Sequence, residues 1–379
     1  MLDRLMLCGV LTWPLMTTCS RPFPRGCSRM TADPSFSAWF MENCMENRRD
    51  LAALALSSQE LSRKVGLRNG LRSSLLASVA VLLLDASLSA EARSVETAFG
   101  ELEIEGTPKR VVTLYEGALD VAVASQITPL GAVTTRGGDG VAAYIAPQVP
   151  KIAIIGTPRE FNIEAVVALK PDMILAPPGL DLTQYQLFSR LAPTIVPAAA
   201  ELTSDAWKAQ SRTYAEALGD DAAAVLEKRL AAIESHAAHL KSRMSAPQTA
   251  SLVRRMPGGL LVMSDQLFAT GLLTASGYQL AGSDLVKAGR PHSDPLSDEN
   301  LSRIDAQTIF LATLDHTSNE AVEALASQPV FQRLKLASRQ GLVGVDGQLW
   351  TSASGPLAAE ALLKDLDSVR DDLHDQDRE

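Results

Sequence analysis

The segment IAIIGTPREFNIEAVVALKPDMILA, residues 152–176, holds one complete strand–helix–strand unit. Ile152-Ala-Ile-Ile155 is an apolar run with three β-branched isoleucines, which favour a strand. Gly156 to Asn162 is a loop of turn-forming residues, and Ile163 to Leu169 has the apolar spacing of a helix. Pro171 lacks the N–H a helix interior needs, so the helix stops before it. Met173 to Ala176 is a second apolar strand, closed by Pro177-Pro178-Gly179. Two strands joined through a helix run parallel, which is the α/β signature.

The same grammar extends in both directions. Upstream, Phe99 to Ile104 is a strand-like lead. Val111 to Leu114 is a strand, Ala118 to Ala124 a helix, and Leu130 to Val133 a strand. Downstream, helix Leu182 to Leu191 and strand Thr194 to Val196 complete a first lobe. Trp207, Tyr214, Leu218, Leu226, Leu230, Ile233 and Leu240 then recur at helical spacing between Ser204 and Met244, interrupted at Gly219-Asp220. Beyond Pro247 the alternation resumes. Ala250–Val253 and Leu260–Met263 are strands, followed by helices Gly271–Ser276 and Glu299–Ile304. Strand Thr308–Ala312, helix Ala321–Ser327, strand Leu342–Val345 and helix Leu357–Leu366 complete the series. The expected organisation is an α/β lobe over 93–203, a helical connector over 204–246 and a second α/β lobe over 247–379.

An internal likeness supports two related lobes. Glu164, then Leu169, Pro171 and Ile174, fall at the same spacing as Glu299, then Ile304, Ala306 and Ile309. Either these are two generic helix–strand units, or the lobes share one architecture. A two-lobed α/β chain has a cleft between its lobes, the usual place for a ligand.

The 379 residues are 46% hydrophobic and 21% charged, enough to bury a core of domain size. The net charge of −9 and pI near 5.2 argue against nucleic-acid binding. All four cysteines, Cys8, Cys19, Cys27 and Cys44, lie in the first 44 residues, so no disulfide framework spans the lobes. Residues 63–92 have the layout of a secretory signal. Arg63, Lys64, Arg68 and Arg72 precede the apolar run Leu75–Leu84, and Ala90-Glu91-Ala92 offers a small-residue cleavage site. That run is shorter than the ~20 residues a spanning helix needs. Residues 1–62 are then an N-terminal extension, expected from a mis-assigned start. No cysteine follows the apolar run, so the expected product is a soluble periplasmic protein rather than a lipid-anchored one.

At this point the residues resemble a known family. Thr107-Pro-Lys-Arg-Val-Val-Thr-Leu114, Ala118-Leu-Asp120 and Ile127-Thr-Pro-Leu-Gly-Ala-Val133 look like the opening of class III periplasmic binding proteins. Asn162-Ile-Glu164 with Leu169-Lys-Pro-Asp172, then Pro295-Leu-Ser-Asp-Glu299 and Gly355-Pro-Leu-Ala-Ala359, resemble its later motifs. The likeness runs from about 98 to 370 and is nearest the ferric-citrate and hydroxamate type. It implies two Rossmann-like lobes with parallel-rich sheets, joined by a long rigid helix. It also implies capture of a ferric siderophore for an ABC permease of the inner membrane, by a monomer without a cofactor or catalytic residues. The same fold binding haem or cobalamin is the alternative, with Tyr115, Tyr144 or His292 as axial ligands; a two-lobed α/β enzyme is a further one.

The resemblance also implies site residues. Arg254 matches a ligand arginine, and its neighbour Arg255 should point the other way. Trp350 matches an aromatic position and could equally be core packing. Tyr115, Tyr144 and Arg136 lie in loops at strand ends, although relatives often place a tryptophan near Arg136 and this chain has none. Arg159 is offset by one residue from the arginine of some relatives. Guanidinium groups suit such a ligand because the planar fork pairs two oxygens at once. Glu164 and Glu299 match the glutamates that dock on permease arginines; each is also a first-turn residue favoured by the helix dipole. No metal site is expected: His236 and His239 are i, i+3 on a helix without a third ligand, and read as exposed. No nucleophile elbow, P-loop or dinucleotide fingerprint is present.

Overall fold

The first lobe follows from the parallel pairing of short, fully buried strands. The computed structural model describes residues 92–199, 201–301, 303–314, 322–324, 327, 329 and 341–376, with side chains set aside at 298, 299 and 371–376. The cysteines, residues 1–62, the signal segment up to residue 91, His316 and residues 321, 325 and 326 of the expected helix 321–327 lie outside them.

The chain opens with an antiparallel hairpin, β1 (Arg93–Thr97) and β2 (Gly100–Ile104). Five parallel strands follow: β3 (Val111–Thr113), β4 (Gly131–Ala132), β5 (Ala153–Ile154), β6 (Met173–Leu175) and β7 (Thr194–Ile195). Their order is β5-β4-β3-β6-β7. Helices α1 (Glu116–Ala124), α2 (Ile163–Leu169) and α3 (Leu182–Phe188) connect them. Side chains alternate across the sheet, as the period of two requires. Val112, Leu114, Ile174 and Ala176 enter one core with Val166 and Phe188, while Val111, Met173 and Leu175 enter another with Ala118 and Val121.

Local hydrogen bonds explain two of the sequence motifs. Asn162 Oδ1 caps α2 by accepting the N–H of Ala165 at 3.0 Å. At the other end, Lys170 is left-handed at φ 46°, and the Arg110 guanidinium donates to the carbonyls of Leu169 and Lys170. The Asp172 carboxylate accepts the N–H groups of Lys109 and Arg110 at 2.8 Å each. The Pro-Lys-Arg and Leu-Lys-Pro-Asp segments thus form one structural clasp before β3 and β6.

The helical stretch between the lobes is divided at Gly219, whose φ is 131°. Helix α4 (Ala206–Leu218) and helix α5 (Asp220–Ser242) run antiparallel, since Arg212 pairs with Glu227 and Lys208 with Glu234. The 23-residue α5 is the long connecting helix.

The second lobe has β8 (Gln248–Met256), β9 (Gly259–Val262), β10 (Tyr278–Leu280), β11 (Thr308–Thr313) and β12 (Leu342–Asp346). Helices α6 (Phe268–Ala275), α7 (Asp298–Leu301), α8 (Gly347–Thr351) and α9 (Pro356–Gln376) accompany them. Strands β10-β8-β11-β12 are parallel, and β9 is antiparallel to β8 through a tight turn. The two halves of the internal likeness occupy matching places. Helix α2 leads into β6 and α7 into β11, with Ile174 and Ile309 both buried.

One apolar core runs through both lobes. It joins Val111 and Met173 of the first sheet to Tyr214, Leu226 and Ile233 of the connector, and these to Leu252, Phe310 and Leu362 of the second lobe. Arg229 on α5 ties the same elements by polar contacts. Its Nε donates to the Ala124 carbonyl at 3.1 Å, and its Nη1 to Glu360 Oε1 at 2.7 Å. Separating the lobes would expose this shared core, so the connector resists hinge motion.

Candidate ligand site between the lobes

The carboxyl ends of the parallel strands in both lobes face one another, where open α/β sheets place their ligands. Tyr115 follows β3, Thr135 and Arg136 follow β4, Arg254 lies near the end of β8, and Asp346 ends β12.

Helix α1 brings the first lobe to the second. Tyr115 precedes it in extended conformation, and its hydroxyl bonds Ser354 Oγ at 2.8 Å. A Cβ on Gly117 would lie 2.7 Å from the same Ser354 oxygen, so only glycine permits this approach. One turn later Asp120, 0% exposed, accepts the N–H groups of Leu357 and Ala358 at 2.8 Å each. A first-lobe carboxyl therefore caps the first turn of α9 in the second lobe. Gly355, at φ 129°, leaves room for it, since a Cβ there would lie 2.5 Å from Asp120 Cγ.

Glu116, 9% exposed, sits in the first turn of α1. Thr135 Oγ1 donates to its Oε2 at 2.7 Å, and its Oε1 has no hydrogen-bond partner. The Tyr144 hydroxyl is buried near both Glu116 and Asp120 and is in regular hydrogen-bond geometry with neither. Burial pushes the Glu116 carboxyl up to about 7, against the opposing pull of the Thr135 bond and of Arg136. Burial pushes Asp120 up to about 8, against its two backbone bonds. The phenols of Tyr115 and Tyr144 are raised by burial as well.

Arg254 faces this group from the second lobe. Its neighbour Arg255 is exposed, whereas Arg254 is 7% exposed and its Nε has no partner. Burial lowers its pKa, and the positive charge of Arg136 lowers it further. Among the described residues neither arginine forms an ion pair. Two like charges held together without a carboxylate clamp are costly in free protein and favourable once an anionic ligand arrives. The Arg136 loop reaches the second lobe, with Gly137 against Leu314 and Gly138 against Gln348.

The expected residues divide between this place and others. Arg254, Arg136, Tyr115 and Tyr144 come together. Trp350 is 1% exposed, stacked on Phe310 with ring centroids 4.9 Å apart, and its Nε1 donates to Asp365 at 3.0 Å. It is packed as a core residue. Arg159 is exposed in the loop before α2, where nothing links it to the arginine pair. Glu164 is exposed in the first turn of α2; Glu299 lies in α7, its side chain outside the described set. His292 is half-buried, its Nδ1 bonded to the Ser293 carbonyl. His236 differs from the expectation of an exposed residue, because its Nε2 meets Asp367 Oδ2 at 2.6 Å and binds α5 to α9. A cavity of about 710 Å³, lined by Ser204, Lys208, Asp265 and Tyr278, lies away from the arginine pair; Lys208 there is already paired with Asp205 and Glu234.

The sequence reading passed over Glu116. Its signal was present: carboxyls at 116 and 120 are one helical turn apart in the otherwise apolar helix EGALDVAVA.

Comparison with known proteins agrees with this architecture. The Fe(3+)-citrate-binding protein of Bacillus subtilis (strain 168) is 26% identical over 281 residues, covering 74% of this chain and 86% of that one. The achromobactin-binding periplasmic protein of Dickeya dadantii is 26% identical over 269 residues, covering 69% and 86%. The crystal structure of Staphylococcus aureus SirA complexed with staphyloferrin B superposes with a TM-score of 0.62 at 24% identity, covering 74% of this chain and 98% of that one. A family model described as periplasmic binding protein matches residues 111–346, from β3 of the first lobe to β12 of the second. The chain belongs to the periplasmic binding protein family.

Proposed function

We propose that this protein captures a ferric siderophore between its lobes and delivers it to an ABC permease in the inner membrane. The observation that carries the reading is the arginine pair. Arg254 from one lobe and Arg136 from the other lie close enough to repel, neither is ion-paired among the described residues, and Arg254 is buried. A chelate presenting anionic oxygens around a saturated ferric ion supplies the missing charge, so the protein need not ligate iron itself. Family membership and the iron-chelate binders among its relatives support the same ligand class. The haem and cobalamin reading is the weaker one. Phenols raised by burial, one of them already bonded to Ser354, are poor sources of an axial phenolate.

Glu164, exposed at the tip of α2, and Glu299 in α7 are the groups offered to permease arginines, one on each lobe. Residues 63–92 direct export, and the monomeric binder acts in the periplasm without catalysis or a resident cofactor. The test is intrinsic tryptophan fluorescence titrated with ferric citrate, a ferric hydroxamate, a ferric catecholate, haem and cobalamin. Saturable quenching by a ferric chelate supports the reading; quenching by haem or cobalamin alone rejects the siderophore.

A further inference from the structure

Eight buried side-chain polar atoms among the described residues lack a hydrogen-bond partner, and two of them belong to charge-bearing groups: Glu116 Oε1 and Arg254 Nε. They come from different lobes, yet both are electrostatically coupled to Arg136. Thr135 holds Glu116 Oε2, and the Tyr144 hydroxyl, itself unpaired, lies near the same carboxyl without closing a bond of regular geometry to Oε1. Glu116 forms no ion pair with either arginine, although the Arg136 charge acts on it. Nor does it cap a helix, a task that Asp120 performs for α9. Natural proteins leave few buried polar atoms unpaired, and a pair of opposite character in one cleft points to a ligand that completes both.

We infer that Glu116 is a ligand-contacting, specificity-determining residue. The cargo offers a hydrogen-bond donor, a hydroxyl or a protonated amine, to Glu116 Oε1, beside the anionic oxygens it offers to Arg254 and Arg136. This inference rests on the siderophore reading and narrows it to chelates that carry a free donor next to their anionic edge. An all-anionic complex would leave Oε1 unpaired and meet repulsion from Glu116, with Asp346 and Asp120 adding to the negative field. Selectivity of this kind comes from the group left unsatisfied by the wrong ligand.

The test is calorimetric titration of the full chain with four probes: ferric dicitrate, ferric desferrioxamine B with its free ammonium group, its N-acetylated derivative, and a ferric tris-catecholate. Wild type, Glu116→Leu, Glu116→Gln and Arg254→Ala are compared, with thermal melting of each. The expected result is that Glu116→Leu weakens the best wild-type ligand by about ten-fold or more while its melting temperature is unchanged or higher. Glu116→Gln, which keeps an acceptor oxygen, should fall between. Arg254→Ala should weaken every ligand. Binding of all probes by Glu116→Leu within about two-fold of wild type would overturn the inference and leave the siderophore reading standing, because a single donor contact is worth about ten-fold. A loss of melting temperature in Glu116→Leu and Glu116→Gln alike would also overturn it, by making Glu116 structural. Failure of wild type to bind any probe would remove the siderophore reading and the inference together.

Discussion

Replacing Asp120 by alanine should loosen the seam between the lobes without touching either sheet. The carboxyl is fully buried and accepts two N–H groups from the first turn of α9, across 237 positions of sequence. Alanine leaves both donors buried and unpaired, at about 1–3 kcal/mol each, although removing a desolvated carboxyl returns part of that cost. A net loss of about 2–4 kcal/mol is expected. In a unit this large that lowers the melting temperature by roughly 4–12 °C. Asparagine is the informative second variant. Its amide oxygen can accept one of the two N–H groups, while its NH2 must face the other, so about half the effect should remain. Both variants are measured by thermal and urea denaturation at pH 7, followed by circular dichroism. A melting temperature for Asp120→Ala within about 1 °C of wild type would refute the reasoning, since an interlobe cap of this kind cannot be lost without cost.

Other outcomes follow from the same contacts. Glu116 and Asp120 have folded pKa values of about 7 and about 8, raised from the ordinary carboxylate range, so the folded state binds more protons than the unfolded state between about pH 4 and pH 8. Stability should therefore fall as pH rises through that window, and the slope should flatten in Glu116→Gln and Asp120→Asn; Arg136, Asp346, Tyr115 and Tyr144 are the other titratable or charged groups facing the pair. An identical slope in wild type and both variants would contradict the assignment. Trp350→Phe keeps an apolar ring on Phe310 and loses the bond to Asp365, so it should cost about 1–2 kcal/mol in denaturant melts with ligand affinity unchanged. A large affinity loss at constant stability would return Trp350 to the ligand wall. Charge reversal at Glu164 and Glu299 together should abolish uptake through the permease while solution binding of the chelate stays within about two-fold of wild type, a change too small to matter in free energy.

Local signals made most of the fold legible. The strand–helix–strand segment at 152–176 has β-branched runs, an Asn cap and a terminating proline, all acting within a few residues, and its helix falls where the apolar spacing put it. The break at Gly219 was visible as a glycine in a helical pattern, although that two helices would double back became clear only from Arg212–Glu227 and Lys208–Glu234. Strand β9 was read correctly as a strand, but its antiparallel pairing depends on the turn at Gly258-Gly259 rather than on its apolar pattern. Strand β10, with the sequence YQL, is too short to show a period. The site was harder to read because its residues meet across the lobes. Arg136 and Arg254 lie 118 positions apart, and no spacing rule places them together. The same limit hid the environment of Trp350, which is decided by Phe310 and Asp365 on other elements. Glu116 was missed because a first-turn glutamate has an ordinary explanation in the helix dipole, and only its burial and open Oε1 set it apart.

We propose that Arg254 and Arg136 together receive the anionic edge of a ferric chelate. The most direct test of this role is the equilibrium affinity of purified protein for ferric dicitrate and ferric hydroxamate chelates, measured for wild type, Arg254→Ala, Arg136→Ala and the double variant. Wild type should bind saturably and one-to-one, and each single variant should lose about ten-fold or more, as expected for hydrogen bonds to a charged group. The double variant should lose less than the product of the two, since the arginines act on the same ligand edge. Wild-type affinity retained in Arg254→Ala, with the chelate still bound one-to-one, would contradict it.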